Sequence, residues 1–334
     1  MLQSKIPTWA KHIALLMMLP GMTAPAFAAT DYRRISVDGG SLFYREAGDV
    51  RKPTILLLHG FPSSSHMFRD LIPELSANFH VLAPDYPGMG NSDAPSAASP
   101  APTFDTLART MEIFVERKGV QSAVIYMQDF GGPVGMRMAM HHPDWVRGLI
   151  IQNTPVTLDG WEPSRLQAIQ ATGSLTPVEK RNAAQARVTV ATDQFLYRHG
   201  ARDPDNLNPD AWTNDAFALS DPEKRRVMTD LQLDIISNLA LYPQWQAYLR
   251  AAQPQTLVVW GDGDPIFAPR GADAIKEILP NAELFTTTAG TLRWKRIIPT
   301  SLLGLFRPLE VYEERKSRRP SPNGVAWTLS AFGQ

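Results

Sequence analysis

The stretch IYMQDFGGPVG, residues 125–135, decides the fold. Its first residues are apolar and strand-like, Gln128-Asp129 closes the run, and Gly131-Gly132 follow one residue later. A helix-like pattern begins at Val134 and continues to His141. A strand that turns sharply into a helix lifts one side chain above a sheet, and small residues let the backbone bend that closely. The side chain at this turn is a carboxylate, Asp129. It stands near a predicted helix N-terminus, where exposed N–H groups favour an anion. Its ordinary pKa leaves it ionised at neutral pH without help from a base. Such a group can attack an sp3 carbon and form an ester. Helix N-caps also use aspartate, so the rest of the chain has to decide its role.

Working outward, strand and helix signals alternate. RRISVDGGSLFYREAG (33–48) reads as a hairpin turning at Gly39-Gly40. TILLLHG (54–60) and FHVLAPD (79–85) are continuous apolar runs, as expected of strands covered on both faces. SAVIYMQ, VRGLIIQN, QTLVVWG and AELFTTT follow, and residues 104–118 carry a helical pattern. This alternation predicts an α/β fold: a mostly parallel sheet with flanking helices. Between residues 155 and 254 the strand runs vanish. Polar, helix-compatible segments with Trp161, Trp212 and Trp245 take their place, which predicts a helical lid inserted over the strand ends. The core then divides into residues 29–154 and 255–290.

The chain has 334 residues, no net charge and no cysteine. At 44% hydrophobic and 20% charged it suits a globular protein with a sizeable core. The neutral balance argues against a nucleic-acid footprint, and the missing cysteine excludes disulfides and thiolate chemistry. Residues 1–28 read as a signal peptide. Lys5 and Lys11 give a positive start, an apolar run follows, and Ala26-Phe27-Ala28 is a small-x-small cleavage pattern. The apolar run is broken by Pro20-Gly21 and falls short of the ~20 residues that span a bilayer. Export to a periplasm or beyond is the expectation, with no membrane attachment after cleavage.

Three motifs fall at the ends of predicted strands, where an open parallel sheet places its site. They are His59-Gly60-Phe61-Pro62, Asp129-Phe130-Gly131-Gly132 and WGDGDP (260–265). Together with LLLHGFPSSSHMFRDLIPEL, DYPGMGNSDAP, QDFGGPVGMRMAMHHPDWVRGLIIQN and WGDGDPIF, they make the chain resemble the α/β-hydrolase superfamily. The branch is that of epoxide hydrolases and haloalkane dehalogenases, which use an aspartate nucleophile. The resemblance runs from about residue 33 to 290. It implies that Asp129 is the nucleophile and Asp264 the charge partner of a catalytic histidine, with Asn153 an alternative support. The backbone N–H groups of Phe61 and Phe130 are the implied oxyanion donors. His59 is implied to be structural, Asp262 is read as a turn residue, and no cofactor or metal is implied.

The resemblance also bears on the substrate. Dehalogenases of this branch carry a tryptophan after the nucleophile and a second donor after His-Gly. Here those positions are Phe130 and Phe61, whose side chains cannot donate. Epoxide hydrolases hold the epoxide oxygen with lid tyrosines, and Tyr242, Tyr197 and Tyr248 lie in the insertion. Hydrolysis of a small neutral epoxide is the first reading and haloalkane dehalogenation the second. A non-catalytic ligand-binding pseudoenzyme is the rival from another class.

The rival exists because of one gap. The family's histidine follows the eighth strand, and here the residue after Gly290 is Thr291. No histidine follows Asp264 anywhere in the chain. From residue 291 the text becomes basic, proline-rich and without helical period. Codons for Thr291-Leu292-Arg293 permit His-Phe-Ala one base along, and those for Trp294-Lys295 permit an acidic continuation in another frame. A frameshifted tail over residues 291–334 is therefore favoured over a selected loss of turnover.

Overall fold

The structure, a computed structural model, describes residues 29–287. The proposed leader, and the tail in which the histidine is missing, lie outside the described residues. Eight strands form one sheet. They are β1 (Asp31–Val37), β2 (Gly40–Ala47), β3 (Thr54–Leu58), β4 (His80–Pro84), β5 (Ala123–Gln128), β6 (Val146–Gln152), β7 (Thr256–Gly261) and β8 (Glu283–Thr287). Their order is β1-β2-β4-β3-β5-β6-β7-β8. The β1–β2 hairpin and the β2–β4 pairing are antiparallel, and every later pairing is parallel. Strands β3, β4, β5 and β7 are buried along their whole length, which is why they read as continuous apolar runs.

Helices α1 (Leu71–Ser76), α2 (Phe104–Arg117) and α3 (Gly131–His141) belong to the core. Helix α2 opens on a capping box, in which the Thr103 side chain accepts from the Thr106 N–H and the Thr106 hydroxyl accepts from the Thr103 N–H. Helix α3 starts three residues earlier than its apolar pattern suggests. Gly131, Gly132 and Pro133 look like helix breakers, yet all three sit in the first turn, where a missing proline N–H costs nothing.

Between β6 and β7 the chain is helical. It forms α4 (Pro163–Ala171), α5 (Pro177–Gln185), α6 (Val190–Arg198), α7 (Asp210–Leu219) and α8 (Pro222–Ala252), and α9 (Arg270–Ile278) follows β7. Helix α8 runs for 31 residues despite Pro243 in its interior. Its docking onto the core centres on Arg137 of α3, which is 3% exposed. One guanidinium nitrogen donates to Asn238 Oδ1 of α8 at 2.8 Å and to the Pro133 carbonyl at 3.1 Å, while Nε meets Asp105 of α2. The same group lies over the rings of Phe104 and Trp245. A cation this deeply buried is tolerable because hydrogen bonds and ring faces surround it. No described helix is long and apolar enough to cross a membrane.

The turn between β5 and α3 is held by close contact. A Cβ on Gly131 would overlap the carbonyl oxygen of Leu58 in β3, and one on Gly132 would overlap the Thr154 side chain. Neither neighbour is the free end of a long side chain. Gly131→Ala is therefore expected to lower unfolding free energy by about 1–3 kcal/mol, the usual cost of overpacking. A urea or guanidinium titration measures it.

Candidate active site

Asp129 follows β5 directly and adopts φ +50°, in the left-handed region that non-glycine residues seldom occupy. Local packing enforces this. The Asp129 carbonyl accepts from the Thr154 hydroxyl at 3.0 Å and from the Gly132 N–H at 2.9 Å. Strain of this kind persists where the surroundings over-determine it, and it concentrates at functional turns.

Strand β3 lies beside β5, with Leu58 opposite Met127, so the loops after the two strands meet. There the backbone N–H of Phe61 donates to Asp129 Oδ1 at 2.7 Å. The Phe130 N–H also acts on the carboxylate, so both expected oxyanion donors converge on it. Burial nevertheless dominates and pushes the Asp129 carboxyl up to about 7. The two N–H groups pull it down, the nearby Asp264 charge raises it, and Arg165 lowers it. The sequence reading of a freely ionised aspartate needs correcting on this point. Removal from water, which no sequence motif displays, brings its titration to the edge of neutrality.

Asp264 follows β7 and is 5% exposed. Its Oδ1 accepts the backbone N–H groups of Ile266 and Phe267 at 2.8 and 3.1 Å, and its Oδ2 accepts from Asn153 Nδ2 at 2.7 Å. Asn153 follows β6 at φ +41° and accepts the Gly261 N–H on Oδ1 at 3.1 Å. Asn153 thus braces Asp264; the two do not compete for one place. Asp262 is exposed in the turn before it.

His59 is fully buried. Its Nδ1 donates to the Gly60 carbonyl at 3.0 Å, its Nε2 accepts the Tyr86 N–H at 3.1 Å, and its ring packs on Tyr86. Burial lowers its pKa and keeps it neutral. Both nitrogens are occupied, so this histidine shapes the loop.

A cavity of about 180 Å³ opens over Asp129. Phe61, Phe130, Phe104 and Phe267 give it apolar walls. Tyr242 lines it, and the Tyr242 oxygen accepts the indole N–H of Trp161 at 2.8 Å. That leaves the phenolic proton available to a ligand.

Tyr197 does not join this site. Its hydroxyl donates to Asp215 at 2.8 Å and lies 3.3 Å from the Ser63 hydroxyl, beside a second cavity lined by Tyr126, Gln152 and Trp212. The reason is helical phase. Thr192, Phe195 and Leu196 of α6 line the first cavity, whereas Tyr197 shares the face of Asp193, one turn earlier. Tyr248 is packed against the hydrophobic core and also lies away from the first cavity.

Two lining residues escape the sequence reading, Arg165 of α4 and Arg187 in the loop after α5. On a polar lid they look like ordinary solvated charges. The one signal is that Arg165 lies four residues past Trp161. Among the described residues, no histidine lines the cavity and no acidic or histidine cluster could hold a metal ion.

A strained carboxylate on backbone donors beneath a helical insertion defines a class of α/β enzyme, and comparison with known proteins agrees. Residues 53–291 match the family model for the alpha/beta hydrolase fold. An uncharacterized hydrolase of Saccharomyces cerevisiae is 34% identical over 263 residues, 76% of this chain and 88% of that protein. A haloalkane dehalogenase of Bradyrhizobium diazoefficiens is 37% identical over 132 residues, 40% of this chain and 42% of that one. Epoxide hydrolase 3 of Xenopus tropicalis is 32% identical over 134 residues, 40% of this chain and 36% of that one. The crystal structure of DBJA superposes with a TM-score of 0.67 at 26% identity, covering 82% of this chain and 96% of that one. The chain belongs to the α/β-hydrolase family, in the branch of the haloalkane dehalogenases and epoxide hydrolases. It is a hydrolase.

The Asp129 environment has a measurable consequence for stability. A carboxyl raised in the folded state favours folding while protonated, and that benefit is lost as pH climbs from about 4 through about 7. Asp129→Asn removes the loss. The variant should melt with the parent near pH 4 and above it at pH 8, by at most about 4 kcal/mol for a shift of this size. Thermal unfolding at the two pH values checks the sign.

Proposed function

We propose that the protein opens small epoxides through an ester on Asp129. The observation that carries this reading is the Asp129 carboxylate itself, buried at the floor of the cavity with Oδ1 held by the Phe61 N–H. Oδ2 is then the attacking atom. It forms a bond to an oxirane carbon, the C–O bond breaks, and the departing oxygen takes the phenolic proton of Tyr242, which is restored from water. When water attacks the ester carbonyl, the developing oxyanion falls to the Phe61 and Phe130 N–H groups.

The indole inventory supports epoxide over halide. Trp161 is the lone tryptophan among the described residues lining the cavity, and its N–H is committed to Tyr242. The positions after Asp129 and after His-Gly are phenylalanines. Among the described residues no indole N–H is left in the cavity walls to hold a halide, while a tyrosine proton is available for an alkoxide.

The second step lacks its base. Asp264 is braced to orient a histidine, and no histidine follows it in the sequence. The ester on Asp129 should therefore outlive its formation. The leader over residues 1–28 supports action in the periplasm or outside the cell.

Mass spectrometry after incubation with a small epoxide such as propylene oxide tests the chemistry. One equivalent of epoxide should appear on the peptide carrying Asp129, and none in Asp129→Asn. The labelling rate should rise with pH and level off above about 7, as the carboxyl ionises. An unlabelled protein, or one that turns over epoxide as fast as an intact triad enzyme, overturns the reading. Resequencing the gene after codon 290 separates a frameshift from a true loss.

A further inference from the structure

The cavity over Asp129 contains two arginines that no step of the ester chemistry uses. Arg165 and Arg187 both line it, and both are half-buried. Burial lowers each guanidinium, and together with the neighbouring charge of Arg187 it brings Arg165 to about 10. The two cations therefore share one low-dielectric space. Arg165 donates from Nη2 to Gln232 Oε1 at 3.2 Å, but its Nε has no partner. The Arg187 guanidinium makes no hydrogen bond or ion pair among the described residues.

Charge counting sharpens the point. Among the described residues lining the cavity, Asp129 is the single acidic one, against two arginines. When Asp129 is ionised, one positive charge is left over. Withdrawing like charges from water beside aromatic walls costs stability unless an anion meets them. Guanidinium forks with open N–H groups suit a planar carboxylate. A monoanion balances the surplus, and a doubly charged phosphate overshoots it.

We infer that Arg165 and Arg187 form a subsite for a carboxylate carried by the substrate, so that a short epoxy acid is preferred over a neutral epoxide. This revises the neutral substrate suggested by the sequence. It rests on the ester reading only for the epoxide; the anion subsite stands on the arginines. The carboxylate takes no part in bond making. Asp129 still attacks the oxirane carbon, and Tyr242 still protonates the departing oxygen.

Isobutyrate and isobutyramide, matched in shape and unlike in charge, test the subsite by calorimetric titration of the full chain. The parent protein should bind isobutyrate at least about tenfold more tightly than the amide, as for hydrogen bonds between charged groups. Arg165→Gln and Arg187→Gln should each lose most of that preference, and Arg187→Lys, which keeps the charge, should retain part of it. Equal binding of acid and amide by the parent overturns the inference without any variant. So does a preference that survives both glutamine substitutions. A parallel incubation with glycidate and glycidamide separates the two readings. Arginine-dependent isobutyrate binding with no adduct on Asp129 sinks the ester chemistry and leaves the subsite standing. Equal labelling by both epoxides, with no preference for isobutyrate, does the reverse.

Discussion

The 2.7 Å hydrogen bond from the Phe61 N–H to Asp129 Oδ1 is the contact on which the site depends. It joins the loop after β3 to the turn after β5, and it exists because those strands are parallel neighbours in register. A buried carboxylate without such donors would bind a proton at any physiological pH. With them it titrates near neutrality, so it can be buried and still carry its charge. The close approach of Gly131 to β3 and the left-handed backbone of Asp129 secure the geometry in which that one N–H reaches that one oxygen.

Much of this is legible in the sequence, for reasons that differ by element. Strands β3, β4, β5 and β7 are covered on both faces, so their burial is written as unbroken apolar text. The β1–β2 hairpin announces itself through Gly39-Gly40, although the turn falls one residue earlier, on Asp38-Gly39, both at positive φ. The start of α3 is misplaced by three residues because glycine and proline propensities describe helix interiors, and a first turn obeys other rules. Asp129, Asp264, Phe61 and Tyr242 come together at or beside one cavity. Tyr197 was read by residue type alone, while helical phase decides which of two cavities a lid residue reaches. The hardest feature to foresee is charge: an arginine on an amphipathic lid helix has the same text whether it faces water or a substrate.

The ionised groups around the cavity act on one another. Asp264 raises the Asp129 carboxyl and Arg165 lowers it, so the charge state of this carboxyl is a balance between two walls of the site. Asp264 bears on Asp129 as a like charge. Arg165 offsets that repulsion, which links the charge of the lid to that of the cavity floor.

The bond between Trp161 and Tyr242 reaches beyond the chemistry. These residues lie 81 positions apart, one near the entrance of the helical insertion and the other near its exit. The Gln246 amide adds a second stitch to the Val156 carbonyl at 2.9 Å. The two ends of the insertion are thereby cinched together at its base, independently of the helices strung between them. Lengthening a segment whose ends are already pinned costs only a slowly growing entropy. Helices α5, α6 and α7 can therefore be exchanged, shortened or extended in related chains while the clasp keeps Tyr242 at the mouth of the site. The insertion works as a changeable cartridge on a fixed socket, which is one physical route to new substrate ranges over an unaltered floor.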